Sequence, residues 1–127
     1  MKKLFLLFFL LQASISFSQE NKAEINKESM PIFPGCEEEI EVMKCFNEKV
    51  KEHIRENFTK PKERIKGRSV VTYAIEAEGT VKVIESEGEN AVLNGEAKRI
   101  IELLPKMTPA YQKGKAVRIL MTVPITF

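Results

Sequence analysis

The chain has 127 residues, enough for one domain, with 20 basic and 18 acidic residues and a formal net charge of +2. It holds one His, two Cys and no Trp, and every acidic residue is Glu. So even a balance leaves no electrostatic footprint for nucleic acid. A single His and no Asp are thin material for acid–base catalysis.

Met1-Lys2-Lys3 precedes the apolar run Leu4–Leu11, and the small residues Ser16 and Ser18 follow. This is the layout of a secretory signal over residues 1–18. The run is too short to cross a bilayer, which takes about 20 apolar residues; an uncleaved inner-membrane anchor is the alternative. Taking Lys2 and Lys3 from the 20 basic residues leaves 18, matching the 18 acids. Residues 19–30 are polar and charged and read as a flexible leader. Residues 31–127 read as the folded domain.

Pro31 to Cys36 is a turn-rich entry, with Pro34-Gly35 as its turn signal. In an exported chain, Cys36 and Cys45 should form a disulfide. Their spacing fits neither a CxxC redox pair nor a metal site. Closing so short a loop would stabilise by roughly 2–3 kcal/mol. From Glu38 to Phe58 the pattern is helical: Ile40, Met43, Phe46, Val50, Ile54 and Phe58 form one apolar stripe. Lys44, Glu48, Lys51, Glu52, Arg55 and Glu56 read as its solvated side. His53 reads as a boundary residue, with no second His, Cys or acid spaced to join it. Thr59-Lys60-Pro61 ends the helix, because the residue before Pro avoids helical angles. Pro61 then starts a short turn through Lys66.

Gly67 begins a hairpin. Ser69, Val71, Tyr73 and Ile75 alternate with Arg68, Val70, Thr72 and Ala74, and Glu78-Gly79 makes the turn. Val81, Val83 and Ile84 carry the returning strand, whose imperfect alternation allows a bulge. Asn94 is the expected N-cap of a second helix, Gly95 to Leu104, with Ala97, Ile100, Ile101 and Leu104 facing inward. Lys106 to Gly114 reads as a loop. From Lys115 to Phe127 apolar residues fall at every second position, the mark of a strand with one buried face. Pro124 in that run suits an edge strand, since it cannot donate to a ladder.

The order is helix, strand, strand, helix, strand. A right-handed crossover places the last strand beside the first. The expected fold is α+β: a three-stranded antiparallel sheet of order 2-1-3 with two helices packed on one face.

Several of these segments resemble the TonB C-terminal domain. Gly67-Arg68 through Ile75 and Glu78-Gly79-Thr80-Val81 look like its first hairpin. Leu93-Asn94-Gly95-Glu96-Ala97 into Ile100-Ile101 resembles its helix. Leu104-Pro105-Lys106-Met107-Thr108-Pro109-Ala110, Gly114-Lys115-Ala116-Val117 and Val123-Pro124-Ile125-Thr126-Phe127 resemble its loop and last strand. The Pro31–Cys36 entry and the Cys45-Phe46 pair look like a disulfide-bearing branch. Lys60 departs from the pattern, which usually has an aromatic there. The resemblance implies a periplasmic domain that grips an extended segment of an outer-membrane receptor by adding a strand to its sheet. Full TonB proteins also carry a membrane-spanning helix and a long Pro-rich linker. With neither visible here, the chain alone is not expected to transmit force.

An edge strand offers unpaired backbone groups to an extended partner. The candidate docking residues are therefore Arg118, Ile119, Leu120, Met121, Thr122 and Val123. Lys60, Tyr111, Gln112 and Lys113 are candidates to flank them. The expected partner is an outer-membrane receptor or another envelope protein segment. The competing reading is a dimer or scaffold through the same edge. No catalytic residue, metal site or cofactor is expected: there is no nucleophile–base pair, metal cluster or Gly-rich phosphate loop.

Overall fold

The computed structural model describes residues 28–59 and 65–127. The expected signal (1–18), most of the leader, Lys60 and the turn begun by Pro61 lie outside them.

The first helix, α1, spans Val42–Asn57 and buries Phe46 and Val50. The helix was expected from Glu38, with Ile40 in its stripe. Instead Ile40 is 99% exposed. Two turns precede the helix, closed by Cys36 N–H to the Phe33 carbonyl (2.9 Å) and Glu39 N–H to the Cys36 carbonyl (3.2 Å). The Cys36–Cys45 disulfide, Cα–Cα 5.9 Å, ties those turns to α1. The chain thus cannot run straight into the helix, and Ile40 is left outside it. Phe33 meets Phe46 edge-on behind the disulfide, with centroids 6.1 Å apart.

Strand β1, Arg68–Ile75, is central. Ser69, Val71, Tyr73 and Ile75 are all buried on one face. Strand β2, Val81–Glu87, returns antiparallel to it. Thr72 pairs with Glu85 and Tyr73 with Val83, so Ile84 is the extra residue of a bulge. The turn sits at Glu78-Gly79 as expected. Gly79 has φ +92 and touches the Met107 carbonyl so closely that a Cβ would collide with it. Its own carbonyl accepts from Met107 N–H at 2.9 Å, which docks the hairpin on the segment after the second helix.

That helix, α2, spans Ala91–Glu102, one turn earlier than expected. Its N-cap is Asn90, whose side chain accepts from Val92 N–H (2.9 Å) and Leu93 N–H (3.1 Å). Asn94 has a tertiary task instead. Its Oδ1 accepts from the buried Ser69 hydroxyl at 2.8 Å, and its Nδ2 donates to the Gly88 carbonyl at 2.9 Å. The only buried polar residue of β1 is thereby satisfied.

The segment read as a loop contains a small hairpin. Strands β3, Ala110–Gln112, and β4, Lys115–Val117, are joined by Lys113 (φ 52) and Gly114 (φ 77). Two positive φ values in a two-residue connection are what a tight hairpin requires. Ser29 bonds to Tyr111 and Ile32 to Thr108 along the outer side of β3. The expected single strand over 115–127 is broken at Arg118, and β5 spans Ile119–Thr126.

The main sheet has the order β2-β1-β5, antiparallel throughout. Phe46 and Val50 of α1, Ala97 and Ile101 of α2, and Val71, Tyr73 and Ile75 of β1 share one core. Both helices therefore cover the same face, as the crossover required.

Candidate strand-docking edge

β5 pairs with β1 in unbroken register, from Arg68 opposite Thr126 to Ile75 opposite Ile119. Phe127 N–H donates to the Gly67 carbonyl at 2.8 Å. In an antiparallel ladder, bonded and non-bonded pairs alternate. It follows that Ile119, Met121, Val123 and Ile125 bond to β1, while Leu120, Thr122, Pro124 and Thr126 turn their backbone groups outward. Among the described residues no strand pairs with that outer side. Pro124 therefore removes a donor from the open edge and none from the ladder to β1, which is why the sheet tolerates it.

The side chains follow the same alternation. Leu120, Thr122, Pro124 and Thr126 are exposed; Ile119, Met121 and Val123 are half-buried against the core. Arg118 stands at the break between β4 and β5, and its Nε donates to Glu76 at 2.9 Å. Tyr111 and Gln112 lie on β3, and Lys113 forms the hairpin turn. Both backbone groups of Tyr111 are engaged by Ser29, each at 3.0 Å, so only its side chain faces outward. With Met30, Val117 and Ile119, Tyr111 and Gln112 line a hollow of about 240 Å³ at the start of β5. Lys60 lies outside the described residues.

A second groove, about 310 Å³, lies at the other end of β5. Lys51, Ile54 and Arg55 of α1 line it with Pro124, Ile125 and Thr126. Sequence reasoning placed Lys51 and Arg55 on a generic solvated face. Their spacing beside Ile54 and Phe58 was a visible signal, since Phe58 stacks on Phe127 with centroids 5.2 Å apart.

Other polar groups are occupied structurally. His53 Nε2 bonds the Ile100 carbonyl at 2.8 Å, and its Nδ1 meets Asn57 Nδ2 at 3.2 Å, so it ties α1 to α2. Arg99 bonds the Asn57 carbonyl at 2.7 Å and, with Glu96, fastens the end of α1. The Arg99 hydrogen bond holds the Glu96 carboxyl below its usual range. Burial pushes the Tyr73 phenol up to about 12. Among the described residues no three His, Cys or Glu side chains are grouped to hold a metal ion, and no helix is long and apolar enough to cross a membrane.

The family described as "Gram-negative bacterial TonB protein C-terminal" matches residues 61–127, more than half of the chain. The chain belongs to that family. The matched span takes in β1 to β5 and α2; the disulfide-pinned turn and α1 precede it. The structure is similar to the C-terminal domain of Helicobacter pylori TonB, solved in solution by NMR. The two are 22% identical over 88% of this chain and 94% of that chain, with a TM-score of 0.49. No curated protein matches the chain significantly. The family makes this a TonB-like protein-interaction module of the cell envelope.

Proposed function

We propose that this chain is a periplasmic module that grips an extended segment of an outer-membrane receptor by adding it as a strand to β5, in association with TonB-dependent transport. The observation that carries this reading is the open side of β5. It offers outward N–H groups at Leu120, Thr122 and Thr126, with no strand pairing them among the described residues. An extended segment supplies the complementary groups at a strand spacing of about 4.8 Å. Binding, not catalysis, is its activity. The signal-like first 18 residues and the Cys36–Cys45 disulfide support an exported location.

The same edge is the natural surface for a second copy, the scaffold alternative. Pro124 weighs against it. Antiparallel pairing of two β5 strands along their length brings in Pro124 twice, so two ladder donors are missing. A receptor segment without Pro loses only one.

The test is a titration with extended peptides from the periplasmic ends of outer-membrane receptors, followed by backbone NMR. Shifts concentrated on Ile119–Thr126, and abolished by Thr122→Pro, are expected. Thr122 points its N–H outward, so that substitution spares the bonding to β1. Silence from every peptide, with a stable dimer through β5, would replace this reading with the scaffold one.

A further inference from the structure

The two flanks of α1 present different charges to their surroundings. Lys51 and Arg55 lie one turn apart on the side of Ile54 and Phe58; Glu48, one turn before Lys51, shares their stripe but does not line the groove they form. This is the β5 side: Lys51, Ile54 and Arg55 share a groove with Pro124–Thr126, and Phe58 stacks on Phe127. Glu52 and Glu56 face the other way, into a hollow lined by Phe33, Pro34 and Pro105.

The cations bordering the edge differ in what they already hold. Arg118, at the start of β5, is paired with Glu76. Lys51 and Arg55 form no ion pair among the described residues. Their position matters for a strand added outside β5. The second helix packs over β2 and β1, which leaves α1, through its groove with Pro124–Thr126, as the helix nearest a strand added outside β5. Alternate side chains of that strand point to the helix face. Those beside Pro124–Thr126 meet Lys51, Ile54 and Arg55. On the opposite face the neighbours are the neutral Leu120, Thr122, Pro124 and Thr126.

We infer that Lys51 and Arg55 are specificity-determining residues of the β5 edge. They select extended segments that carry carboxylate side chains on the helix-facing side, at the end lying beside Pro124–Thr126. This rests on the strand-addition reading above and adds the chemistry of the partner. Exposed ion pairs are individually weak, so the effect is one of selection among segments rather than of bulk affinity.

The test uses the disulfide-bonded full chain and end-blocked eight-residue peptides of alternating Thr and Val. Two Thr positions at one end are replaced by Glu, Gln or Lys, and each peptide is made in both sequence directions. In the better-bound direction the Glu peptide should bind about five-fold more tightly than the Gln peptide, from two partly screened pairs. Lys51→Glu with Arg55→Glu should transfer the preference to the Lys peptide. Lys49→Glu, on the far side, should leave it unchanged. In 1 M salt, where the screening length falls to about 3 Å, the preference should vanish. Vesicles of phosphatidylglycerol and phosphatidylcholine form the second arm. Equal binding of the Glu and Gln peptides at β5 would overturn this inference and leave strand addition standing. Binding by none of the peptides would overturn both. Charge-blind peptides, with vesicle binding lost in the double reversal, would assign the flank to a lipid surface and overturn it as well.

Discussion

The two edges of the sheet hang from the same central strand and are built differently. β2 carries a bulge at Ile84 and presents Lys82, Glu85 and Glu87 to solvent. Bulges and edge charges are the usual means of preventing stray strand pairing. Glu85 and Glu87 crowd one another enough to hydrogen-bond, which together with their mutual repulsion raises the Glu85 carboxyl above its usual range. β5 has eight residues in unbroken register and presents Leu120, Thr122, Pro124 and Thr126, all uncharged. One edge is guarded and the other is left open, apart from the single donor that Pro124 removes.

The largest effect should come from the strand both edges share. Tyr73 is 1% exposed in the core, and Tyr73→Ala should cost about 3–5 kcal/mol, read as a fall in the thermal or urea midpoint. Both edges should be lost together. Survival of peptide binding in a chain whose β2 amides exchange freely would show the edges to be independent.

Removing the disulfide should act on one edge more than the other. Cys36→Ser with Cys45→Ser should cost about 2–3 kcal/mol. Amide exchange should rise first in α1, beside β5, while α2 and β2 stay protected, since Asn90 and Asn94 hold them without the disulfide. Uniform loss of protection would contradict that division.

Stripping the guard from β2 is a smaller change. Deleting Ile84 and replacing Glu85 and Glu87 by Thr should leave the fold intact and create a second open edge. Concentration-dependent mass should then appear by analytical ultracentrifugation. A monomer at all concentrations would mean that bulge and charge are not what keeps β2 unpaired.

The smallest effects are those of pH. The raised Glu85 carboxyl favours the folded state when protonated. Its contribution is present in acid, below the ordinary glutamate range, and is lost as pH rises through the folded value. Tyr73 has the same sign at the alkaline end. Stability should hold to about pH 10 and fall as pH rises through about 12, visible in the urea midpoint.

Much of this layout is legible in the sequence, and the exceptions have physical causes. Strict alternation from Val117 to Phe127 and the place of Pro124 mark the edge strand, and the crossover fixes the strand order. The irregular spacing of Val81, Val83 and Ile84 foreshadows the bulge. Apolar periodicity does not mark the start of α1, because the disulfide and its two turns hold Ile40 outside the helix. Asn90 and Asn94 are equally good caps by residue type; only the buried Ser69 hydroxyl gives Asn94 its other task. The β3–β4 hairpin has three-residue strands, too short to show alternation. The role of the α1 flank was hidden for a different reason. Helical spacing tells which charges share a side, but not that this side borders an empty strand position.

The most direct test of the central claim is amide hydrogen exchange along β5, free and with a receptor peptide bound. In the free protein Leu120, Thr122 and Thr126 should exchange quickly, while Met121, Val123 and Ile125, bonded to β1, exchange slowly. On binding, the fast amides should become protected and the slow ones stay as they were. Fast amides that remain fast with peptide bound would contradict strand addition, and slow exchange at all six in the free chain would mean that the edge is not open.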